Sequence, residues 1–108
     1  MGPAAYVGVE TPIRFRGLEG TELLGFEVPV ATTRLSRLLG LALLRRERAG
    51  AGLLLPRCRS VHTFGMRFRL DVIFLDAEGR VVDLRRSVPP CRVIRCPSAM
   101  AVLELHSP

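Results

Sequence analysis

The 108-residue sequence contains no lysine, no asparagine, no glutamine and no tryptophan. All 16 basic residues are therefore arginine, and with 10 acidic residues they give a net charge of +6. Such a vocabulary reads as the product of a GC-rich genome, and the loss of deamidation-prone amides suits a heat-tolerant host. Codon bias chooses Arg over Lys without any phosphate being involved, so the charge is a weak functional signal. The N-terminal stretch Met1–Val7 lacks the basic and apolar segments of a secretory leader. The longest apolar run, Leu38–Leu44, falls far short of the ~20 residues that span a bilayer. These absences lead us to expect a soluble cytoplasmic protein without a membrane partner.

Cysteine is scarce as well. Cys58, Cys91 and Cys96 are an odd number in a chain without an export signal, which argues against a disulfide framework. The spacing Cys91-x4-Cys96 is neither a redox CxxC nor a zinc knuckle, and a bridge there requires the backbone to bend. We expect three reduced, mostly buried thiols. Hydrophobic residues make up 48% and charged residues 24%, which excludes wholesale disorder. The length suits one domain over residues 1–108, with an N-terminal extended segment at 1–20.

Residues 1–20 are punctuated by Gly and Pro, with extended stretches at Tyr6–Val9 and Ile13–Phe15 and a turn around Gly17–Gly20. Gly25–Val30 reads as a strand that Pro29, lacking an N–H, places at an edge or ends. Thr32–Arg48 is the one helical signal. Thr32 or Thr33 caps it, Leu35, Leu38, Leu39, Ala42 and Leu43 form its apolar stripe, and Arg45, Arg46 and Arg48 complement the dipole before a Gly50 C-cap. Gly40 costs about 1 kcal/mol relative to Ala and is where this helix would divide.

Beyond Gly52 the strand candidates are Leu53–Leu55, Val61–Phe64, Phe68–Leu75, Arg80–Leu84, Arg92–Ile94 and Met100–Leu105. Asp76–Gly79 reads as a tight hairpin connection with Gly79 in the left-handed position. Strands at this even spacing predict an α+β, mostly β fold: an antiparallel β-sandwich or partly closed barrel with one or two short helices.

Arg57–Leu75 carries the chemistry. Read as one extended stretch, its even positions, Cys58 through Phe74, form a core stripe that turns polar at Cys58, Ser60 and His62. Its odd positions carry Arg57, Arg59, Arg67 and Arg69, and Gly65 is where a bulge would reset the parity. Asp71, inside so apolar a strand, needs backbone or Arg67 donors. His62 reads as a fold-locking hydrogen bond beneath the sheet. The candidate binding residues are His62, Met66, Arg67, Asp71 and Cys58, lining a shallow pocket for a small anionic ligand. Cys58, His62 and Met66 are donor types for copper(I), yet four strand residues span roughly 13 Å, so no metal or cofactor is expected. Cys58 and His62 with Asp71 have the residue types of a nucleophile pair and its orienter, without a nucleophile elbow or oxyanion loop. The arginines give nonspecific nucleic-acid affinity at low salt, unaccompanied by a recognition motif.

The run Pro56-Arg57-Cys58-Arg59-Ser60-Val61-His62-Thr63-Phe64-Gly65-Met66-Arg67-Phe68, followed by Leu70-Asp71-Val72-Ile73-Phe74-Leu75-Asp76, resembles the signature of the family named domain of unknown function 192. Gly52–Leu55, Gly79–Val82 and Val102–Leu105 fit the same pattern, so the resemblance covers about residues 26–105. Arg69 stands where members place Pro, and the sequence stops at Pro108 where members continue into a Gly-Asp-containing strand. That strand is either missing or supplied by residues 1–20. The resemblance implies a small β-sandwich-like domain with short helices and brings no established activity. The expected function is a non-enzymatic ligand-binding or accessory module. The alternatives are a small enzyme using Cys58, His62 and Asp71, or an arginine-mediated nucleic-acid binder. A missing terminal strand would leave an edge open to homodimerisation.

Overall fold

The computed structural model describes residues 20–23, 26–42, 44, 50 and 52–108. Strands β1 (Gly20–Leu23) and β2 (Phe26–Pro29) form a hairpin, followed by helix α1 (Arg34–Leu39). Then come β3 (Leu53–Pro56), β4 (Ser60–His62), β5 (Leu70–Leu75), β6 (Val81–Val88), β7 (Val93–Arg95) and β8 (Ala101–His106). The main sheet has the order β3-β8-β5-β6, and β4 pairs with β7 in a separate ribbon. Among the described residues every strand pairing is antiparallel, and a parallel bridge ties Val30 to Leu54. Among the described residues β3 and β6 end the sheet without meeting, so the fold is a mostly β sandwich and not a closed barrel.

The main sheet is buried on both faces because β5 and β8 are apolar at nearly every position. Register places Leu53, Val72 and Glu104 abreast, with Leu55, Phe74 and Val102 next to them on the same face. This face packs against Val61 and Ile94 of the β4–β7 ribbon, Met66, and Leu41 and Ala42 just beyond α1. The opposite face sets Ile73, Leu75 and Leu103 against Val28 of the N-terminal hairpin. At the β5–β6 turn the Asp76 carboxylate accepts the Glu78 and Arg80 N–H groups at 2.9 and 2.8 Å. Gly79 stands at φ +82°, the left-handed position expected of it.

Some expectations change. The helix is confined to Arg34–Leu39, capped by Thr33, whose hydroxyl accepts the Ser36 N–H while Ser36 Oγ accepts the Thr33 N–H. It ends at Gly40, which has φ +52° and ψ −126°. The continuation through Arg45, Arg46 and Arg48 lies outside the described residues, as do Tyr6–Val9 and Ile13–Phe15. Gly20 opens β1 instead of completing a turn, and β6 runs on to Val88 before Pro89-Pro90. Cys58, Cys91 and Cys96 are free thiols, of which Cys91 is exposed and Cys96 buried.

Arg57–Leu75 is not one extended stretch. Arg57 adopts φ +50°, and a turn over Thr63–Met66, closed by the Met66 N–H on the Thr63 carbonyl and with Gly65 at φ +76°, resets the parity. Buried positions are odd before the turn (Val61, Thr63) and mainly even after it (Met66, Leu70, Val72, Phe74), so Phe64, expected in the core, is 52% exposed. Arg57 and Arg59 therefore lie on a different segment from Arg67 and Arg69, and no single strand carries all four.

Candidate functional site

Where α1 ends above the main sheet, the side chains leave a cavity of about 90 Å³. At roughly 30 Å³ per water it has room for only a few heavy atoms. Its walls include Arg37 and Gly40 from α1 and its cap, Cys58 and His62 from the β4 region, Met66 from the turn, and Glu104 from β8. The turn at Thr63–Met66 carries Met66 back to the cavity that Cys58 and His62 line, although a straight strand would hold the three apart. Thr63 fixes that turn. Fully buried, its hydroxyl donates to the Pro89 carbonyl at 2.8 Å and accepts the Arg92 N–H at 2.8 Å.

Glu104 dominates the electrostatics. It lies in the middle of the central strand and is only 2% exposed. Burial pushes its carboxyl up to about 7, opposed by a hydrogen bond from the Leu41 backbone N–H. Its Oε1 is buried without a hydrogen-bond partner. The termination of α1 follows from the same contact: a Cβ on Gly40 would stand 2.7 Å from Glu104 Oε1. Only glycine allows that backbone this close to the carboxylate.

Arg37 does not neutralise the acid. Its guanidinium donates to the Pro56 carbonyl at 2.7 Å and, less closely, to those of Arg57 and Ala31 at 3.4 and 3.5 Å. It thereby straps α1 to the end of β3. His62 is half-buried, stacked on Phe64 with ring centroids 5.5 Å apart, and its Nδ1 is buried without a partner. The expected fold-locking hydrogen bond at that atom is not made. Cys58 is half-buried and its thiol points to the Ser60 carbonyl at 3.2 Å.

Of the five residues read from the sequence as candidates, Cys58, His62 and Met66 line this cavity, while Arg67 and Asp71 do not. Asp71 pairs with Leu105 and so belongs to the sheet face opposite Glu104. There Asp71 Oδ1 accepts the Ser87 N–H at 2.9 Å and the Ser107 hydroxyl at 2.7 Å, which supplies the donors its setting demands without Arg67. Arg67 is exposed. A grouping of Cys58, His62 and Asp71 is thus not assembled. Among the described residues no three His, Cys, Asp or Glu side chains are grouped to hold a metal ion. Sequence reading missed Glu104, although an acid alternating with Val102 in so apolar a strand carried the same signal that singled out Asp71.

Comparison with known proteins bears on the fold. No curated protein matches the chain. A crystal structure of a protein of unknown function from Novosphingobium aromaticivorans is similar with a TM-score of 0.63 at 20% identity, covering 96% of this chain and 85% of that one. Another, described as a "putative transcription regulator" from Sinorhizobium meliloti, is similar with a TM-score of 0.64 at 23% identity, covering 75% of this chain and 68% of that one. At such identities the likeness establishes a shared fold. Residues 17–107 match the sequence profile of one family, and the chain accordingly belongs to DUF192, "Uncharacterized ACR".

Proposed function

We propose that this protein is a non-enzymatic module that binds a small ligand in the cavity beneath the end of α1. One observation carries this reading: two buried polar atoms without partners, Glu104 Oε1 and His62 Nδ1, belong to residues that line one cavity. A buried polar atom left unsatisfied costs about 1–3 kcal/mol, so a sequence that places two there gains stability by binding a molecule that satisfies them. Cys58, Met66 and the aliphatic wall add polarisable and apolar contact, the usual company of a few placed polar groups in a binding site. The position of Asp71 on the far face of the sheet favours binding over the enzyme reading.

The test is a fragment screen by ¹⁵N NMR on the folded chain. Hits should shift the amides of Gly40, His62, Met66 and Glu104 together, and Glu104→Leu should abolish those shifts while leaving the rest of the spectrum in place. A screen in which no compound perturbs this set overturns the proposal.

A further inference from the structure

We propose that the ligand is a small amphoteric molecule, an amine joined to an acid by a short aliphatic stem, with its ammonium group inside on Glu104 and its acid group outside on Arg57 and Arg59. This rests on the reading of the cavity as a binding site and names what it binds.

The cavity does not end at Cys58. A wider, more open groove of about 440 Å³ is lined by Arg57, Cys58, Arg59, Ser60 and Met100, so Cys58 and Ser60 belong to both spaces. In the proposed complex one molecule runs from the groove past these two residues to Glu104. The two ends differ in charge. Arg57 and Arg59 are the only charged residues of the groove, and among the described residues neither is in ion-pair contact with a carboxylate. Arg59 is held in place by Nε donating to the Ala99 carbonyl at 3.2 Å, with Nη2 against Met100 Sδ at 3.9 Å. That leaves guanidinium N–H groups for an anion, and an arginine fixed in advance loses less freedom on binding.

At the inner end the charge is opposite. Glu104 presents an acceptor without a partner, and the one cation that lines the cavity among the described residues, Arg37, is engaged by three backbone carbonyls. An ammonium group has donors for both Glu104 Oε1 and His62 Nδ1, which a carboxylate or phosphate in the same place lacks. An anion would meet a buried acid there, so the arginines orient the ligand acid-outward. The stem runs past Met66, Leu55 and Met100, an apolar lining suited to methylene groups.

Isothermal titration calorimetry with unbranched ω-amino acids, from glycine to 6-aminohexanoate, tests this against the amine-only and acid-only analogues of each length. At least one amino acid should bind ten-fold or more tightly than either analogue. Glu104→Gln should weaken the amino acid and the amine without affecting the acid. Arg57→Asn, which keeps a residue tolerant of positive φ, should weaken the amino acid and the acid without affecting the amine. Binding near pH 6.5 should also release protons from Glu104, seen as heats that vary with buffer ionisation enthalpy and vanish in Glu104→Gln.

If amines bind as tightly as amino acids and Arg57→Asn changes nothing, the amphoteric assignment fails while the cavity remains a ligand site. If acids alone bind, or no member of the series binds although fragments shift the cavity amides, the assignment fails in the same way. If fragments do not reach the cavity either, both proposals fall.

Discussion

Glu104→Gln isolates the energetics of the buried acid. The folded protein raises this carboxyl from 4.5 to about 7, chiefly by burial. Between those two values the folded chain binds a proton that the unfolded chain releases, so stability declines as the pH rises. The stabilising contribution is complete below about pH 4.5 and is lost as the pH rises through about 7. A shift of about 2.5 pH units at 1.36 kcal/mol each amounts to about 3 kcal/mol over that window. Against a total stability of about 5–15 kcal/mol for a domain this is a large fraction. Gln keeps the side-chain shape and an acceptor for the Leu41 N–H but cannot ionise. Ligand-free wild type should therefore lose about 2.5 kcal/mol relative to the variant between pH 5 and 8.5. Urea unfolding followed by far-UV circular dichroism suits a chain without tryptophan.

The acidic limb does not intrude on that window. The backbone N–H of Arg80 holds the Asp76 carboxyl below its ordinary 3.8, and the Arg85 guanidinium does the same for Asp83. Their contributions are present above about pH 4 and are lost only as the pH falls below it. Parallel stability curves for wild type and variant from pH 5 to 8.5 would refute the burial argument.

Four further outcomes follow from the same structure. Gly40→Ala should cost about 2–3 kcal/mol through its backbone strain and its 2.7 Å approach to Glu104 Oε1, and part of the cost should disappear in a Glu104→Ala background; equal costs in both backgrounds would deny the contact. Thr63→Val should cost about 2–4 kcal/mol in urea unfolding, because it strands the Arg92 N–H and the Pro89 carbonyl inside the protein. A thiol reagent under native conditions should label Cys91 fast and Cys96 slowest, with Cys58 between them and slowed by any ligand that fills the cavity; Cys96 reacting as fast as Cys91 would contradict its burial. Strand β6 pairs only with β5 among the described strands and exposes Val81, Val82 and Leu84, so edge pairing should give a dimer by light scattering, and a clean monomer at high concentration counts against it.

What could be read from the sequence was whatever is settled locally. The Asp76–Gly79 turn is closed by its own carboxylate and by a glycine two residues before the next strand, so residue types alone disclose it. The last strand, read at Met100–Leu105 and found at Ala101–His106, and the cap, read at Thr32 or Thr33 and found at Thr33, are equally local. The end of α1 is legible in part: Gly40 marks the break by its residue type, while the carboxylate against which it packs comes from the last described strand. The parity of Arg57–Leu75 depends on Thr63 holding Pro89 and Arg92, partners far along the chain that no window around His62 reveals. The same turn, at Thr63–Met66, decides the site, since it returns Met66 to the cavity that Cys58 and His62 line while β5 turns Asp71 to the other face. Glu104 carried the local signal of an acid in an apolar strand, but the depth of its burial follows from β8 lying between β3 and β5, a matter of strand order.

That strand order has a consequence during synthesis. Strand β8 is central to the sheet yet follows the other seven in the chain, and it pairs with both β3 and β5. At about 5–20 residues per second a ribosome needs roughly one to five seconds to pass from Leu75 to Ala101. Over that interval β5 gains at most β6 beside it, and Ile73 and Phe74 have no strand on their other flank. The nascent chain is then a greasy half-sheet, a natural client for chaperones. Slower translation or lower expression temperature would lengthen this exposure even as it slows aggregation, so soluble yield should respond more to chaperone supply than to translation rate.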